Sequence, residues 1–496
     1  MLIASVVSVL GWIIALFAGT MILPALIAFG FEETALGTSF LGSAGLTFFA
    51  GIALIFATRG ADPINTKGGG FLTGALAFLA LAFFGALPIY LSEAAGPADA
   101  YFEALSGLTT SGATIFASLE TLPHGLLFWR ALLQWTGGLG TIVLAVSILS
   151  FGGVGGMNLF SSALAVSSRE TLGNRMRDSV LSIWWVYAIL TLICAVALLM
   201  AGIPTFDALA YAMSTISTGG FNTRDLGFGA FNNPVADYVL IVFMLVAAVN
   251  FTLHGALFHG RTRPHRRDIE TRYLIAIGLI GALLVFGGVL GKLDLGFGDE
   301  IRIALFSTIS ALTTTGFNIL PGVVDSAGTA TGSGGAAIGL PVIATVLLIG
   351  LMLVGGATGS TAGGVKTMRI IVFIKLAGRE LSRLTHPHGV VRLRFGDQAI
   401  DEDTLRSVWG FLTIFISTFV LIAIALGLIG FDFEDAIAAT VAMLTNTGAG
   451  YSLLGGGETF ADAPSAAKLV LALGMLLGRL EVVTVLVLFS PSFWRY

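Results

Sequence analysis

The chain has 496 residues, 56% of them hydrophobic and only 11% charged, with a formal net charge of −4. Soluble domains carry about 25% charged residues, so this composition excludes an ordinary aqueous fold and makes the bilayer the expected solvent. The single cysteine, Cys194, excludes a disulfide framework and any cysteine-based metal site; inside "YAILTLICAVALLM" it reads as a small buried hydrophobe.

A membrane-crossing helix needs about 20 mostly apolar residues. Ten such runs follow one another, near 3–29, 38–58, 70–92, 125–152, 181–203, 235–259, 272–291, 339–376, 407–430 and 466–490. The first has no basic flank and is too long for a signal-peptide core, so it is expected to be retained. The eighth is too long for one plain helix and contains "GGATGSTAGG" at 355–364. Four intervals between spans carry short amphipathic stretches: "ADAYFEALSGLTTSGA", "FDALAYAMSTISTGGF", "DEIRIALFSTISALTTTGF" and "FEDAIAATVAMLTNTGAG". Segments of this kind read as re-entrant rather than crossing. If all four share one side, that side holds only Arg130, Arg224, Lys292, Arg302 and Lys468 of the 25 basic residues; Arg479 is within a span and the rest fall opposite. The asymmetry predicts the short stretches outside and both termini in the cytoplasm. The longest basic loop, about 377–406, is too short to form an enzyme domain.

Superposing Gly112, Gly220, Gly316 and Gly448 without gaps aligns the preceding residues as LTTS, ISTG, LTTT and LTNT, and places Ser106, Ser214 and Ser310 in register. The repeating unit is span, short helix, polar glycine turn, span. The expected architecture is an all-α polytopic membrane protein of ten transmembrane helices. Two leading spans occupy 1–69, and pore repeats occupy 70–180, 181–270, 271–406 and 407–496 around a pseudo-fourfold axis. Ordinary loops with turn glycines would not need a preceding apolar helix four times over.

Non-helical backbone is tolerated at membrane depth only when buried in protein or lining a wet cavity. Glycine lets a short peptide turn its carbonyls toward the axis, and rings of carbonyl oxygens replace a cation's hydration shell. The turns contain hydroxyls but no carboxylate, which suits a monovalent rather than a divalent ion. Short helices pointing their C-terminal ends inward would add to the field. Glu103, Asp207, Glu300, Glu434 and Asp435 read either as an outer field for cations or as first-turn helix charges.

The string 355–364 would break a helix, each glycine costing about 1 kcal/mol against alanine, or would serve close helix packing. It imitates a nucleotide-binding P-loop, but Val365 rather than glycine precedes Lys366, which excludes that reading. Arg479 lies within "LLGRLEVVTV", where a charge must face a pore, a partner or backbone carbonyls. Glu481, two residues on, falls on a different side of the helix. Enzyme chemistry finds no H-E-x-x-H and no G-x-S-G; the six histidines are scattered at 124, 254, 259, 265, 386 and 388, and His254 with His259 lacks a third metal ligand.

The filters "LTTSGA", "STGGFN" and "TTTGFN", with "RALLQWTGGLGTIVL" at 130–144, "GGATGSTAGGVKTMRI" at 355–370 and "GRLEVVTVLVLF" at 478–489, make the chain resemble the Trk/Ktr/HKT cation transporters. Its two leading spans are similar to those of the longer, TrkH-type members, and the resemblance covers essentially the whole chain. It implies potassium uptake across the bacterial inner membrane through a gated, channel-like pathway, with no enzymatic activity, no cofactor, and K⁺ as the transported ion. By position, the implied selectivity filter is Thr109, Thr110, Ser111 and Gly112; Ser217, Thr218, Gly219 and Gly220; Thr313, Thr314, Thr315 and Gly316; and Thr445, Asn446, Thr447 and Gly448. K⁺ would meet Thr110, Gly112, Thr218, Gly220, Thr314, Gly316, Asn446 and Gly448. Glycine in all four quadrants implies K⁺ preference; relatives with serine in the first move Na⁺, so a Na⁺-selective or Na⁺/K⁺-coupled transporter is the alternative. The fourth filter departs from the pattern, with Ala449 where proline is expected. The resemblance also implies an intramembrane gate at Gly355, Gly356, Ala357, Thr358, Gly359, Ser360, Thr361, Ala362, Gly363 and Gly364, and Arg479 as an electrostatic barrier below the filter. Implied partners are a second copy in a homodimer, a cytoplasmic nucleotide-binding TrkA-type regulatory subunit on the basic loops, and the lipid bilayer, with no nucleic acid.

Overall fold

The computed structural model describes residues 2–62, 67–150, 172–258, 260, 268–293, 295–320, 340–386, 393–395, 398–457, 459–486 and 488. The stretches 151–171 and 387–392 and the basic stretch 261–267 lie outside these residues.

Away from water, a backbone satisfies its polar groups most simply inside one helix, and uninterrupted apolar runs do so here. Among the described residues six helices are long and apolar enough to cross a membrane: Leu2–Gly30, Thr34–Ala57, Gly68–Leu91, Val180–Met200, Ile269–Val289 and Glu402–Ile429. Their outward faces carry side chains such as Leu16, Phe49, Leu283 and Leu428, all exposed and suited to lipid. The predicted run at 125–152 is the helix His124–Ser150.

The other three predicted runs are interrupted. The helices Pro234–Ala247 and Phe251–Phe258 meet at 98°, so the run expected at 235–259 is sharply bent. The eighth run divides into Val342–Val354 and Thr367–Thr385 around an irregular loop, as its glycines predict. The tenth stops at Arg479; Glu481 has φ 60° and a short helix, Val482–Leu486, follows. The expectation of single continuous helices at 235–259 and 466–490 is thus corrected. At the first break the physical reason is the docking of the irregular loop, described below. The only strands among the described residues are the two-residue pair Arg394–Phe395 and Gln398–Ala399, antiparallel. Leu393 and Phe395 pack there on a small cluster made by Met368, Val372, Leu376, Ile400, Leu405 and Val408.

The two leading elements cross backbone to backbone. A Cβ built on Gly51 would lie 2.6 Å from the Ala15 nitrogen and 2.8 Å from the Gly11 oxygen. Small residues permit such approach where lipid offers no hydrophobic drive to pair helices. Gly51→Leu is therefore expected to cost about 1–3 kcal/mol through overpacking and to lower the melting temperature of the detergent-purified protein. Gly45→Leu, on the same helix where a Cβ would meet nothing within 4 Å, should melt like the wild type.

Candidate ion-binding site

Four short helices, Pro97–Leu108, Thr205–Ile216, Phe297–Leu312 and Phe433–Leu444, end in one geometry. Thr109, Ser217, Thr313 and Thr445 follow the last helical residue. The next residue is left-handed each time: Thr110 (φ 51°), Thr218 (52°), Thr314 (57°) and Asn446 (54°). One residue further, an amide N–H donates back into the last turn: Ser111 to Ser106 O at 2.9 Å, Gly219 to Ser214 O at 2.8 Å, Thr315 to Ser310 O at 2.9 Å and Thr447 to Ala442 O at 2.7 Å. This is the Schellman closure, which usually employs glycine at its left-handed position. A β-branched residue there costs on the order of 1–3 kcal/mol, so three threonines require support.

The turns meet in chain order around one centre. A Cβ on Gly112 would collide with the Gly219 carbonyl oxygen, and one on Gly220 with that of Thr315. A Cβ on Gly316 would lie 2.6 Å from Gly450 N, and one on Gly448 would lie 3.0 Å from Ser111 O. Quadrant one thus abuts two, two abuts three, three abuts four and four returns to one. Gly112, Gly220 and Gly316 have φ of 81°, 82° and 81°; glycine is needed there for both conformation and space. Gly448 lacks a positive φ and opens a 3₁₀ helix, Gly448–Leu454. Every residue of the four predicted filter segments is buried.

Several residues brace the ring from behind. Ser214 Oγ donates to Gln134 Oε1 at 2.8 Å, and the same oxygen accepts Phe221 N at 3.2 Å. Ser310 Oγ donates to Phe317 O at 2.8 Å. Arg130, 1% exposed, pairs with Glu103 at 2.7 Å, donates to Asn222 O at 3.0 Å and to Thr114 Oγ1 at 3.2 Å, and stacks over Phe221. Glu103 also accepts Ile115 N at 2.9 Å. One ion pair therefore fastens the chain leaving the first turn to the chain leaving the second.

That arrangement revises the reading of the acidic residues. Asp207, Glu300, Glu434 and Asp435 do stand in first turns. Three of them also hold neighbouring chain: Asp207 accepts Thr223 Oγ1 at 2.6 Å, Glu300 accepts Gly291 N at 2.9 Å, and Asp435 accepts Tyr451 OH at 3.1 Å. Glu103 is fully buried midway along its helix and fits neither the outer-field nor the first-turn reading. Gln134 and Arg130 carried no site assignment in the sequence; a glutamine and an arginine inside one apolar run were the available signal.

The loop Gly355–Gly364 packs against the turns where the short helices finish. Gly363 N donates to Thr314 Oγ1 at 2.6 Å, Gly364 N to Thr445 O at 3.2 Å, and Thr361 Oγ1 to Ile216 O at 3.0 Å. The same loop fills the bend of quadrant two: Ala357 N donates to Ala248 O at 2.9 Å, and Phe251 N donates to Gly359 O at 3.2 Å. Those bonds satisfy the groups released where the helix breaks. Glu270, buried, accepts Thr358 N at 2.8 Å, Thr358 Oγ1 at 3.1 Å and Met368 N at 3.0 Å, clasping both ends of the loop. Lys366 Nζ turns back onto Ala362 O, and the amides of Ala357, Gly363 and Gly364 are already engaged, so no phosphate cradle exists.

Arg479, 6% exposed, donates from Nη1 to Thr361 O at 2.7 Å and from Nε to Thr141 Oγ1 at 2.6 Å. It contacts the loop through a backbone carbonyl, not through Glu481, which pairs with Arg369 at 2.7 Å. A cavity of about 70 Å³ beside the loop is lined by Thr141, Ser360, Gly363, Lys366, Phe411 and Arg479 among others. His254 bonds Val246 O at 3.0 Å, His259 lies outside the described residues, and among the described residues no histidine, cysteine or carboxylate cluster could hold a metal.

Removing one partner of a buried ion pair leaves the other charge uncompensated, at about 3–5 kcal/mol. Glu103→Ala is accordingly expected to lower the thermal stability of the purified protein sharply. Arg406→Ala, whose pair with Asp403 is exposed on both sides, should change it by less than about 1 kcal/mol.

The chain matches the TrkH family, described as a cation transport protein, over residues 44–496. It is 37% identical to the Trk system potassium uptake protein TrkH of Salmonella typhimurium, over 99% of each chain. It is 31% identical to the Trk system potassium uptake protein TrkG of Escherichia coli, over 98% of this chain and 97% of that one. The crystal structure of the potassium transporter TrkH from Vibrio parahaemolyticus is similar throughout, with a TM-score of 0.87, 34% identity and 100% coverage of both chains. Full-length likeness in sequence and in fold, together with six long apolar helices, establishes that this chain is a multi-pass membrane protein belonging to the TrkH family of cation transport proteins.

Proposed function

We propose that the protein takes up potassium through a pathway along the axis of the four turns. The observation that carries this reading is the closed ring in which each glycine presses on the backbone of the next quadrant. The printed names of the relatives, Trk system potassium uptake proteins, agree with it. In this reading Thr110, Gly112, Thr218, Gly220, Thr314, Gly316, Asn446 and Gly448 contribute oxygens to K⁺, and neutral oxygens suffice for a monovalent ion. The ring fits a ten-span, four-repeat topology in which each short helix ends at the axis. The basic excess opposite the short stretches supports cytoplasmic termini in a bacterial inner membrane. The same basic loops suit a TrkA-type nucleotide-binding subunit, and we assign the functional unit as a homodimer with that partner.

The loop Gly355–Gly364 serves as the inner gate. Its contacts with three of the four turns support this role, with Arg479 and Glu270 as the groups that hold it.

Complementation of a bacterium lacking its own potassium uptake tests the filter. The wild type should restore growth at low K⁺. Gly112→Ser and Gly316→Ser should lose it or admit Na⁺, because a side chain at φ 81° is strained and collides with Gly219 O or Gly450 N. Normal growth with both variants would count against the assignment. For the gate, Glu270→Ala removes an acceptor from three donors, and rubidium uptake should rise severalfold with the amount of protein in the membrane unchanged; an unaltered rate would refute the gating role.

A further inference from the structure

The fourth turn differs from the other three in a way that bears on the axis. The residues after the filter glycines are Ala113, Phe221, Phe317 and Ala449. The first three are buried, at 2%, 4% and 0% exposure, with their side chains packed into the protein. Ala449 is half-buried. Cβ atoms built on Gly112, Gly220 and Gly316 would lie 2.9, 2.7 and 3.1 Å from the Ala449 methyl carbon. One carbon that close to the Cβ positions of three quadrants stands at their common centre.

Backbone bonds hold it there. Ala449 N donates to Ser111 O at 3.1 Å, and Gly450 N donates to Thr447 O at 2.8 Å. Two of the carbonyls at the level of the ring are therefore engaged by protein. A methyl carries no lone pair and excludes a cation from the position it fills.

Resting on the filter reading above, we propose that Ala449 is an outer plug. It occupies the outermost ion position, and entry requires the 3₁₀ segment from Ala449 onward to withdraw while Gly448 stays in the ring, freeing Ser111 O and Thr447 O for the ion. Ion and methyl then compete for one place, so the plug lowers apparent affinity for the external ion in proportion to the fraction of time it is seated. It leaves the rate at saturation alone.

The test is rubidium uptake against external concentration in cells lacking their own potassium uptake. Ala449→Gly deletes the methyl and keeps the N–H; its apparent KM should fall about fivefold with unchanged maximal rate. Ala449→Val should raise KM. If Val fails to reach the membrane, the Gly arm decides alone. KM equal to wild type in the Gly variant overturns the plug. Absence of uptake by the wild type, or normal uptake by Gly112→Ser and Gly316→Ser, instead defeats the potassium-filter reading on which the plug depends.

Discussion

Left-handed backbone at Thr110, Thr218 and Thr314 is the constraint on which the rest of the structure depends. It turns the chain out of each short helix and toward the axis, and a β-branched residue adopts it only when its surroundings over-determine it. Those surroundings are visible. The Schellman bonds fix each turn to its own helix. Gln134 and Arg130 fix the second turn from behind. The glycines two residues later let neighbouring backbones touch, so each quadrant is wedged by the next.

The same logic applies to a longer irregular segment. A loop without helix or sheet bonds persists inside a membrane protein only if its polar groups are satisfied by other protein. Here they are shared among the bend at Ala248, the last turns of three short helices, Glu270 and Arg479. The bend and the loop are thus complementary halves of one feature: each supplies the partners that the other lacks.

Much of this was legible in the sequence, and what was not has physical reasons. Uninterrupted apolar runs are local signals and coincide with helices; of the glycines in register, Gly112, Gly220 and Gly316 share one left-handed conformation and Gly448 does not. The break at Val249–Asn250 is only partly local: Asn250 Oδ1 accepts Thr252 N at 2.8 Å and caps the second helix, a signal a single asparagine in an apolar run leaves faint, while the bend itself is stabilised by a loop from the next repeat. Arg479 announced itself as a charge that must face a pore, a partner or backbone carbonyls; the structure gives it one carbonyl, Thr361 O, and the Thr141 hydroxyl, and which of these residues it reaches is set by the fold and not by local sequence. Glu103 and Arg130 belong to different elements, and only the fold brings them together. Ala449 stood out as the wrong residue for its position; which way its methyl faces depends on the handedness of Gly448, which composition does not reveal.

The inequality of the four turns carries a consequence for how such a protein can vary. A pore assembled from identical subunits changes every wall whenever one codon changes. Here a single polypeptide supplies all four turns, and among the described residues the quadrants have diverged: the third carries the loop Gly355–Gly364, the second is bent to receive it, and the fourth lacks the left-handed glycine. A substitution in one quadrant alters that turn and the neighbouring turn it presses on, but it is not repeated in every quadrant as it would be among identical copies.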